Sequence, residues 1–293
     1  MANSSGAGQN SQKPDRALII GSSGLLGKAL MRHLKSVGQD FAVCNRRHLA
    51  NLEIMQFQLE ELPSIDESFD VIYLLAAQIP YANMNNYSPS LIDANVGLVL
   101  DITKQFPESH IVFSSSVSVY GTPIHQPITE SHPFNQPNAY GMSKVSAESI
   151  LRAHRSYCIL RFSSLYGVEM QTPTFLPLII DQAIKSNEIR LQGDGTRLQN
   201  YLSVEDAATM LTVAANSRLK AVVHATANES HSNRQISEII ASQMGNTKIH
   251  YSGTDNSPSC EYSTHRWNQL FGYRTRVRIE DGIRELIENA KNK

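Results

Sequence analysis

Ala17-Leu-Ile-Ile-Gly-Ser-Ser-Gly-Leu-Leu-Gly27 is the stretch that decides the fold. It opens with an apolar run long enough for a buried strand, and helical apolar spacing begins at Leu25. A strand, a glycine turn and a helix in this order are typical of a dinucleotide pyrophosphate site at the helix N-terminus. A glycine-rich connection without a ligand is the alternative. The predicted cofactor contacts here are Gly21, Ser23, Gly24, Leu25, Leu26 and Gly27.

The residues that follow the second predicted strand, Phe41 to Cys44, indicate which dinucleotide the chain prefers. NAD sites carry an acidic residue near this point, which binds the ribose hydroxyls. This chain has Asn45-Arg46-Arg47 instead. Arg46 and Arg47 could form charge-assisted bonds to a 2′-phosphate. The sequence therefore favours NADP(H), with NAD(H) as the alternative and two solvated surface arginines as the simpler explanation.

Tyr140-Gly-Met-Ser-Lys144 lies in a helix predicted from Tyr140 to Ala153. Residues four apart share one helix face, so the phenol and the ammonium would point the same way. A free phenol has a pKa of about 10, and a nearby ammonium together with the cofactor's positive charge favours the phenolate. The spacing predicts an acid/base pair, and a surface pair without function is the alternative.

A serine run supplies a third element. The strand predicted from His110 to Phe113 leads directly into Ser114-Ser-Ser-Val-Ser118. Hydroxyls at the carboxyl end of a parallel strand face the crevice in which open α/β sheets bind ligands. A serine of this run could donate a hydrogen bond to a substrate oxygen near Tyr140.

Taken together, these segments resemble an extended short-chain dehydrogenase/reductase of the nucleotide-sugar epimerase/dehydratase type. The match follows the family's order from about residue 17 to 215 and weakens beyond. It implies an α/β fold with a Rossmann-type doubly wound parallel sheet and a smaller C-terminal α/β lobe that binds substrate. The matching pieces are Gly21–Gly27, Leu75-Ala-Ala77, Asn95-Val-Gly97, Phe113–Gly121, Tyr140–Lys144, Arg161–Gly167 and Tyr201–Ala207.

The resemblance implies a role for each site residue. Tyr140 would be the acid/base, Lys144 would bind the nicotinamide ribose and lower the Tyr140 pKa, and Ser116 would bind the sugar oxygen. Asn95 would be a structural or relay residue beneath the site. The remaining predicted cofactor contacts are Leu75, Ala76, Ala77, Asn95 and Ser114, and the predicted substrate contacts are Ser116, Ser118, Tyr140 and Arg197.

Two departures from the family pattern limit which reactions and substrate contacts are expected. Val117-Ser118 stands where family dehydratases carry Asp-Glu, so water elimination is not expected. Gln199 stands at the family's usual arginine, and Arg197 is its candidate replacement. We expect NADPH-dependent reduction of a nucleotide-linked 4-keto-6-deoxy sugar. A 4-epimerase with tightly bound NAD is the alternative, and a non-catalytic NADP-sensing module is the third hypothesis.

Composition is that of an ordinary globular enzyme. The chain has 293 residues, 41% hydrophobic residues and a formal net charge of −1, so it has no basic field for nucleic acid or anionic membranes. Its three cysteines are scattered and its ten histidines show no ligand spacing, so no metal is predicted. With no apolar run of about 18–20 residues and no signal-like start, we expect a cytoplasmic protein.

The same pattern predicts the domain organisation. Residues 1–15 would be a flexible tail, residues 16–168 the NADP-binding domain, and residues 169–293 mainly the substrate lobe. A segment of about 189–225 would return to the Rossmann core. The apolar helix predicted from Thr174 to Ile184 would cover the sugar site or belong to the core. The family resemblance also implies a homodimer, formed through the helix around Leu91–Phe106 and the helix that carries Tyr140.

Overall fold

The computed structural model describes residues 15–50, 52–170, 174–245 and 247–292, so the predicted tail lies, apart from residue 15, outside the described residues. The strands are β1 (Ala17–Ile20), β2 (Phe41–Asn45), β3 (Gln56–Gln58), β4 (Val71–Leu74), β5 (His110–Ser116), β6 (Tyr157–Phe162), β7 (Ser164–Tyr166), β8 (Glu188–Gln192), β9 (Leu198–Gln199), β10 (Tyr201–Ser203), β11 (Ala221–Ala225), β12 (His231–Ser232) and β13 (Lys248–Ser252). The α-helices are α1 (Leu25–Ser36), α2 (Pro89–Ile92), α3 (Leu98–Gln105), α4 (Ala139–Arg152), α5 (Phe175–Ser186), α6 (Val204–Ser217), α7 (Asn233–Met244), α8 (His265–Phe271) and α9 (Ile279–Lys291).

One parallel sheet organises the molecule. In the described part of the chain it has seven strands in the order β11-β6-β5-β4-β1-β2-β3. The chain runs outward from β1 in both directions, so the strand order reverses between β1 and β4. A crevice opens at the carboxyl ends of the strands where the order reverses. The predicted Rossmann-type doubly wound sheet is confirmed.

Both faces of the sheet are covered, because side chains along a strand alternate between the two faces. In β1, Ala17 and Ile19 pack in the cluster that includes α1 and α6. Leu18 and Ile20 pack in the cluster that includes α3 and α4. All four residues are fully buried, and burying an aliphatic side chain contributes about 1.5–3 kcal/mol. The glycine turn that follows β1 is therefore held on a rigid strand.

The C-terminal lobe has its own apolar core, formed by side chains of α5, α7, α9, β8 and β10. Strand β8 pairs in parallel with β13, away from the main sheet. Of the segment 189–225, α6 and β11 do join the main sheet layers, whereas β8 belongs to the lobe. Tyr251 and Ser252 complete the β13 pairing with Leu191 and Gln192. None of the described helices is both long and apolar enough to span a bilayer.

Candidate active site

The glycine turn after β1 is held by two neighbouring segments. Gly21 has φ +91°, and its N–H donates to Cys44 O at 3.0 Å. A Cβ on Gly21 would lie 2.6 Å from the backbone nitrogen of Ala76, so only glycine fits. The N–H groups of Leu75 and Ala76 both donate to Ile20 O at 2.9 Å. The loop after β4 is thereby fixed against the turn.

The start of α1 fits a pyrophosphate. Gly24 is the N-cap residue in an extended conformation, and no side chain caps the first turn. Such a first turn has backbone N–H groups without helical partners, and its dipole end is positive. Gly24, Leu25 and Leu26 also line the main cavity. The residues present therefore fit the anionic part of a dinucleotide, as the sequence predicts.

The end of β2 approaches the same turn. The buried Asn45 side chain donates to Ser22 Oγ at 2.7 Å and accepts from Ser23 N at 3.2 Å. The hydrogen bonds of the Asn45 side chain are thus made to the glycine turn and not to a ribose. Arg46 and Arg47, which follow it, are exposed, and neither forms an ion pair with a described residue. Both guanidinium groups are available at the strand end where a 2′-phosphate is expected.

A cavity of about 520 Å³ lies at the carboxyl ends of β1, β4, β5 and β6 and extends to the C-terminal lobe. Its described lining contains no carboxylate, guanidinium, ammonium or imidazole group, and its polar side chains are hydroxyls and one amide. The predicted residues that the cavity brings together are Gly21, Gly24, Leu25, Leu26, Gly27, Leu75, Ala77, Ser114, Ser116, Ser118 and Tyr140. Those that lie outside its lining are Ser23, Arg46, Arg47, Ala76, Asn95, Lys144 and Arg197.

Tyr140 and Ser116 meet at this cavity. Asn138 caps α4 by accepting from Gly141 N at 2.8 Å, which sets the helix start and therefore the position of Tyr140. The Tyr140 side chain is 8% exposed, and its interaction with the Ser116 side chain lowers its pKa, while Ser116 Oγ donates to Ser118 Oγ at 3.1 Å. Ser118 N in turn donates to Ser116 Oγ at 3.1 Å. The phenol and a serine hydroxyl are therefore fixed together where a substrate oxygen could reach both.

Lys144 lies behind Tyr140. Its Nζ donates to Ser114 O at 2.8 Å and is 5.8 Å from the centre of the Tyr140 ring. Burial raises the pKa of Tyr140 far above 10, although the interaction with Ser116 opposes this rise. Burial thus acts in the direction opposite to the lowering predicted from Lys144 and the cofactor's positive charge together. Burial also lowers the pKa of Lys144 to about 7, which weakens the field that the ammonium was expected to supply.

Asn95 lies beneath the site in a π-helical turn, Asp93–Gly97, between α2 and α3. Its amide nitrogen donates to Gln78 O at 3.0 Å and to Ser143 Oγ at 2.9 Å, and its oxygen accepts from Gln78 N at 2.7 Å. Both amide hydrogens are thus used within the protein. Asn95 ties the loop after β4 to α4 and does not itself face the cavity, which corrects its assignment as a cofactor contact.

Arg197 is not brought to the cavity. It lines a separate depression formed by residues 193–197 and 253–259. Its Nε donates to Pro258 O at 3.3 Å, and its Nη1 is 3.9 Å from an Asp255 oxygen. Gln199, two residues later, does line the cavity and donates to Asn233 Oδ1 at 2.7 Å. The predicted replacement of the family arginine by Arg197 is therefore not supported.

Several cavity residues had no sequence signal. Tyr81 enters from the loop after β4, and Tyr166 and Tyr201 enter from β7 and β10. Phe175 stacks on Tyr201 with ring centres 6.5 Å apart. The first residues of α5 line the cavity, while Ile179, Ile180 and Ala183 of the same helix lie in the lobe core.

The fold is a Rossmann-type α/β sheet, and its cavity brings the glycine turn together with Ser116 and Tyr140. The NAD dependent epimerase/dehydratase family model matches residues 17–224, and the chain belongs to that family. The predicted class, a nicotinamide-dependent oxidoreductase or epimerase, is confirmed.

Similar proteins were found at both sequence and structure level. A putative UDP-glucose 4-epimerase of Methanocaldococcus jannaschii is 24% identical over 94% of this chain and 98% of its own length. The N-acetyl-alpha-D-glucosaminyl-diphospho-ditrans,octacis-undecaprenol 4-epimerase of Escherichia coli O157:H7 is 32% identical over 65% of this chain and 59% of its own length. The structure of MoeE5 in complex with UDP-glucose and NAD is similar in fold, with a TM-score of 0.82, 21% identity and coverage of 94% and 99%.

Proposed function

We propose that this protein transfers hydride between a nicotinamide dinucleotide and a carbon–oxygen centre of a nucleotide-linked sugar. The observation that carries the proposal is the interaction of the buried Tyr140 with Ser116 at a cavity that also includes the glycine turn. When bound, the dinucleotide supplies or accepts the hydride. The relative spanning nearly the whole chain is named as a putative UDP-glucose 4-epimerase, which supports a sugar nucleotide as substrate.

The chain's own residues account for the proton. Because burial keeps the Tyr140 phenol protonated at neutral pH, it can donate its proton to an oxygen that gains negative charge. Ser116 donates a hydrogen bond to the same oxygen and stabilises that charge. Lys144 holds Ser114 and α4 in place, and its ammonium form would stabilise the phenolate that remains on Tyr140 after the proton has left.

The finer proposal is NADPH-dependent reduction of a 4-keto-6-deoxy sugar on a nucleotide. Its support is the pair Arg46 and Arg47 at the end of β2 together with the commitment of Asn45 to the glycine turn. The absence of carboxylates from the described cavity lining disfavours water elimination, which needs an acid and a base of that kind. Epimerisation at C4 with retained NAD is the second candidate, favoured by the names of the relatives.

The test compares cofactors on the purified protein. We expect NADPH to bind more tightly than NADH, and Arg46→Ala with Arg47→Ala to remove the difference. Arg155→Ala is the matched control, because Arg155 is exposed beside the amino ends of β5 and β6. Tight NAD that copurifies with the protein and interconversion of UDP-glucose and UDP-galactose would select the epimerase.

The same preparation tests the proton donor. Tyr140→Phe is expected to lower turnover of a nucleotide-linked keto sugar by roughly 10²–10⁴-fold and to leave cofactor binding intact. Undiminished turnover in this variant would contradict the assignment of Tyr140.

A homodimer is part of the proposal. Ile92, Leu100 and Met142 are large apolar side chains, each more than a third exposed, on the α2–α3 segment and on α4. These helices contact each other in the monomer, so their exposed apolar residues would form one helical interface with a second copy. Sedimentation of the wild-type protein and of Leu100→Glu measures the expected change from dimer to monomer.

A further inference from the structure

The end of β5 contacts one face of α4 at three successive turns. Each of three consecutive serines meets one of three helical residues spaced four apart, and residues with this spacing share a helix face. The contacts are the Ser116 side chain with Tyr140, the Ser114 carbonyl with Lys144 at 2.8 Å, and Ser115 Oγ with Glu148 Oε1 at 2.6 Å. The row that contains the Tyr–Lys pair therefore has a third member, Glu148.

Glu148 is held in a fixed orientation. It is 2% exposed, and its oxygens accept from Arg161 Nε at 2.9 Å and Arg161 Nη2 at 2.7 Å. Arg161 is also buried and donates to the Tyr120 hydroxyl at 2.7 Å and to Glu130 O at 2.9 Å. A bidentate pair of this kind has a defined geometry as well as a charge. The carboxylate therefore cannot turn away from its place beside α4 without leaving a buried charge unpaired.

The position of Glu148 determines the electrostatic surroundings of Lys144. Lys144 is 1% exposed, with the Phe113 ring centre 4.6 Å from its Nζ and Tyr140 one turn before it. Burial lowers the Lys144 pKa, and Glu148 is the charged group in the described chain that opposes this change. The charged groups that face Glu148 are Arg161 from β6 and, on its own helix, Lys144 and Arg152. Arg152 Nη2 lies 3.6 Å from Glu148 Oε2.

We propose that Glu148 is a positioning residue of the site, which fixes α4 against β5 and keeps the Lys144 amine in its charged form behind Tyr140. Glu148 does not line the cavity, so it acts through Lys144 and not on a substrate. The inference deepens the proposed function, since a charged Lys144 supports the proton chemistry of Tyr140. The charge state of Lys144 is, however, a property of the protein that can be measured without any substrate.

The experiment is a ¹³C NMR titration of the full chain labelled at the lysine side-chain carbons. The Lys144 signal is the one that disappears in Lys144→Arg. Glu148→Gln should lower the Lys144 pKa by roughly one unit or more, because a charge one helical turn away is lost inside the protein. Ser115→Ala is the matched control, since it removes a hydrogen bond to Glu148 and keeps the charge, and it should leave the Lys144 pKa close to that of the wild type.

A double variant covers the case in which Glu148→Gln does not fold. Glu148→Gln with Arg161→Met removes both buried charges, which proteins tolerate better than the loss of one partner. It should also show a lowered Lys144 pKa. An unchanged Lys144 pKa in the folded variants, or an equal shift in Ser115→Ala, would overturn the proposal.

The outcomes for this inference and for the proposed function are separable. Suppose that Tyr140→Phe keeps full turnover while the Glu148 variants lower the Lys144 pKa as expected. The proposed function then fails, and the role of Glu148 in keeping Lys144 charged stands. If Tyr140→Phe abolishes turnover while Lys144 titrates alike in all variants, the proposed function stands and the role of Glu148 is refuted.

Discussion

Gly141 allows α4 to lie directly on the short 3₁₀ turn Val117–Tyr120 that follows β5. A Cβ at this position would lie under 3.0 Å from the carbonyl oxygen of Ser118 and 3.0 Å from the Cβ of Pro137. Ordinary Cβ contacts begin near 3.4 Å, so Gly141→Ala must move the first turn of α4 by roughly 0.5–1 Å. That turn carries Tyr140, and the segment it would move against carries Ser118, which is hydrogen-bonded to Ser116.

The expected size of the effect follows from two opposing contributions. Forcing an extra methyl group into a close-packed contact costs about 1–3 kcal/mol. Alanine is favoured over glycine in a helix by about 1 kcal/mol, which offsets part of this cost. We therefore expect Gly141→Ala to lower the free energy of unfolding by up to about 2 kcal/mol. Turnover should fall more steeply, by about 100-fold, because a displacement of about 1 Å separates groups that must act on one oxygen.

Urea unfolding followed by the fluorescence of Trp267 measures the stability change, since Trp267 is the single tryptophan and is buried. A loss of this size lowers the urea midpoint by about 0.5 M. Gly97→Ala is the matched control, because a Cβ on Gly97 meets nothing within 4 Å and should leave stability equal or higher. An unchanged midpoint and turnover in Gly141→Ala, or an equal loss in Gly97→Ala, would refute the close-packing argument.

Three further changes test the fold and the cofactor site. Asp206→Ala should destabilise the protein by roughly 2–4 kcal/mol in urea unfolding, because the buried carboxylate accepts from the Tyr273 hydroxyl and two backbone N–H groups. Burial lowers the pKa of His110 from 6.5 to about 4, so it contributes stability above pH 6.5 that is lost as pH falls toward 4. His110→Asn should make the urea midpoint depend less on pH between pH 6.5 and 4. A midpoint that changes with pH as it does in the wild-type protein would refute this role. Gly21→Ala should abolish cofactor binding in a fluorescence titration, because its Cβ collides with the Ala76 backbone.

Features with a local cause were predicted well from the sequence. The strand, turn and helix around Gly21 follow from residues that are adjacent in the chain. Asn138 caps α4 by accepting from Gly141 N three residues on, and Ser203 caps α6 by accepting from Glu205 N two residues on. The serines after β5 reach the cavity because the end of a parallel strand at the reversal point has only one open side. Each inference needs only the geometry of one element and its neighbour.

Features that depend on distant pairing were not predictable. Arg197 and Gln199 differ by two residues, and only the antiparallel pairing of β9 with β12 determines which of them reaches the cavity. Strand β8 pairs with β13 about 60 residues later, which no local pattern indicates. The raised pKa of Tyr140 is likewise a product of packing. Helical spacing correctly puts Tyr140 and Lys144 on one face, but burial of both groups acts in the direction opposite to the predicted pKa change.

The side chains that line the cavity are uncharged, and the charged side chains of this site lie behind them in the protein. This arrangement bears on how an uncharged cavity wall can take part in proton transfer. The described cavity wall presents hydroxyls and one amide, Lys144 lies behind the phenol, and Glu148 with Arg161 lies behind Lys144. In the proposed reaction, charged groups at the wall would compete for the substrate oxygen or remove other protons of the sugar. Burial is the main influence on the pKa of Tyr140 at the wall, whereas Glu148 behind the wall acts on Lys144. We therefore expect substitutions at the wall and behind it to change different kinetic quantities.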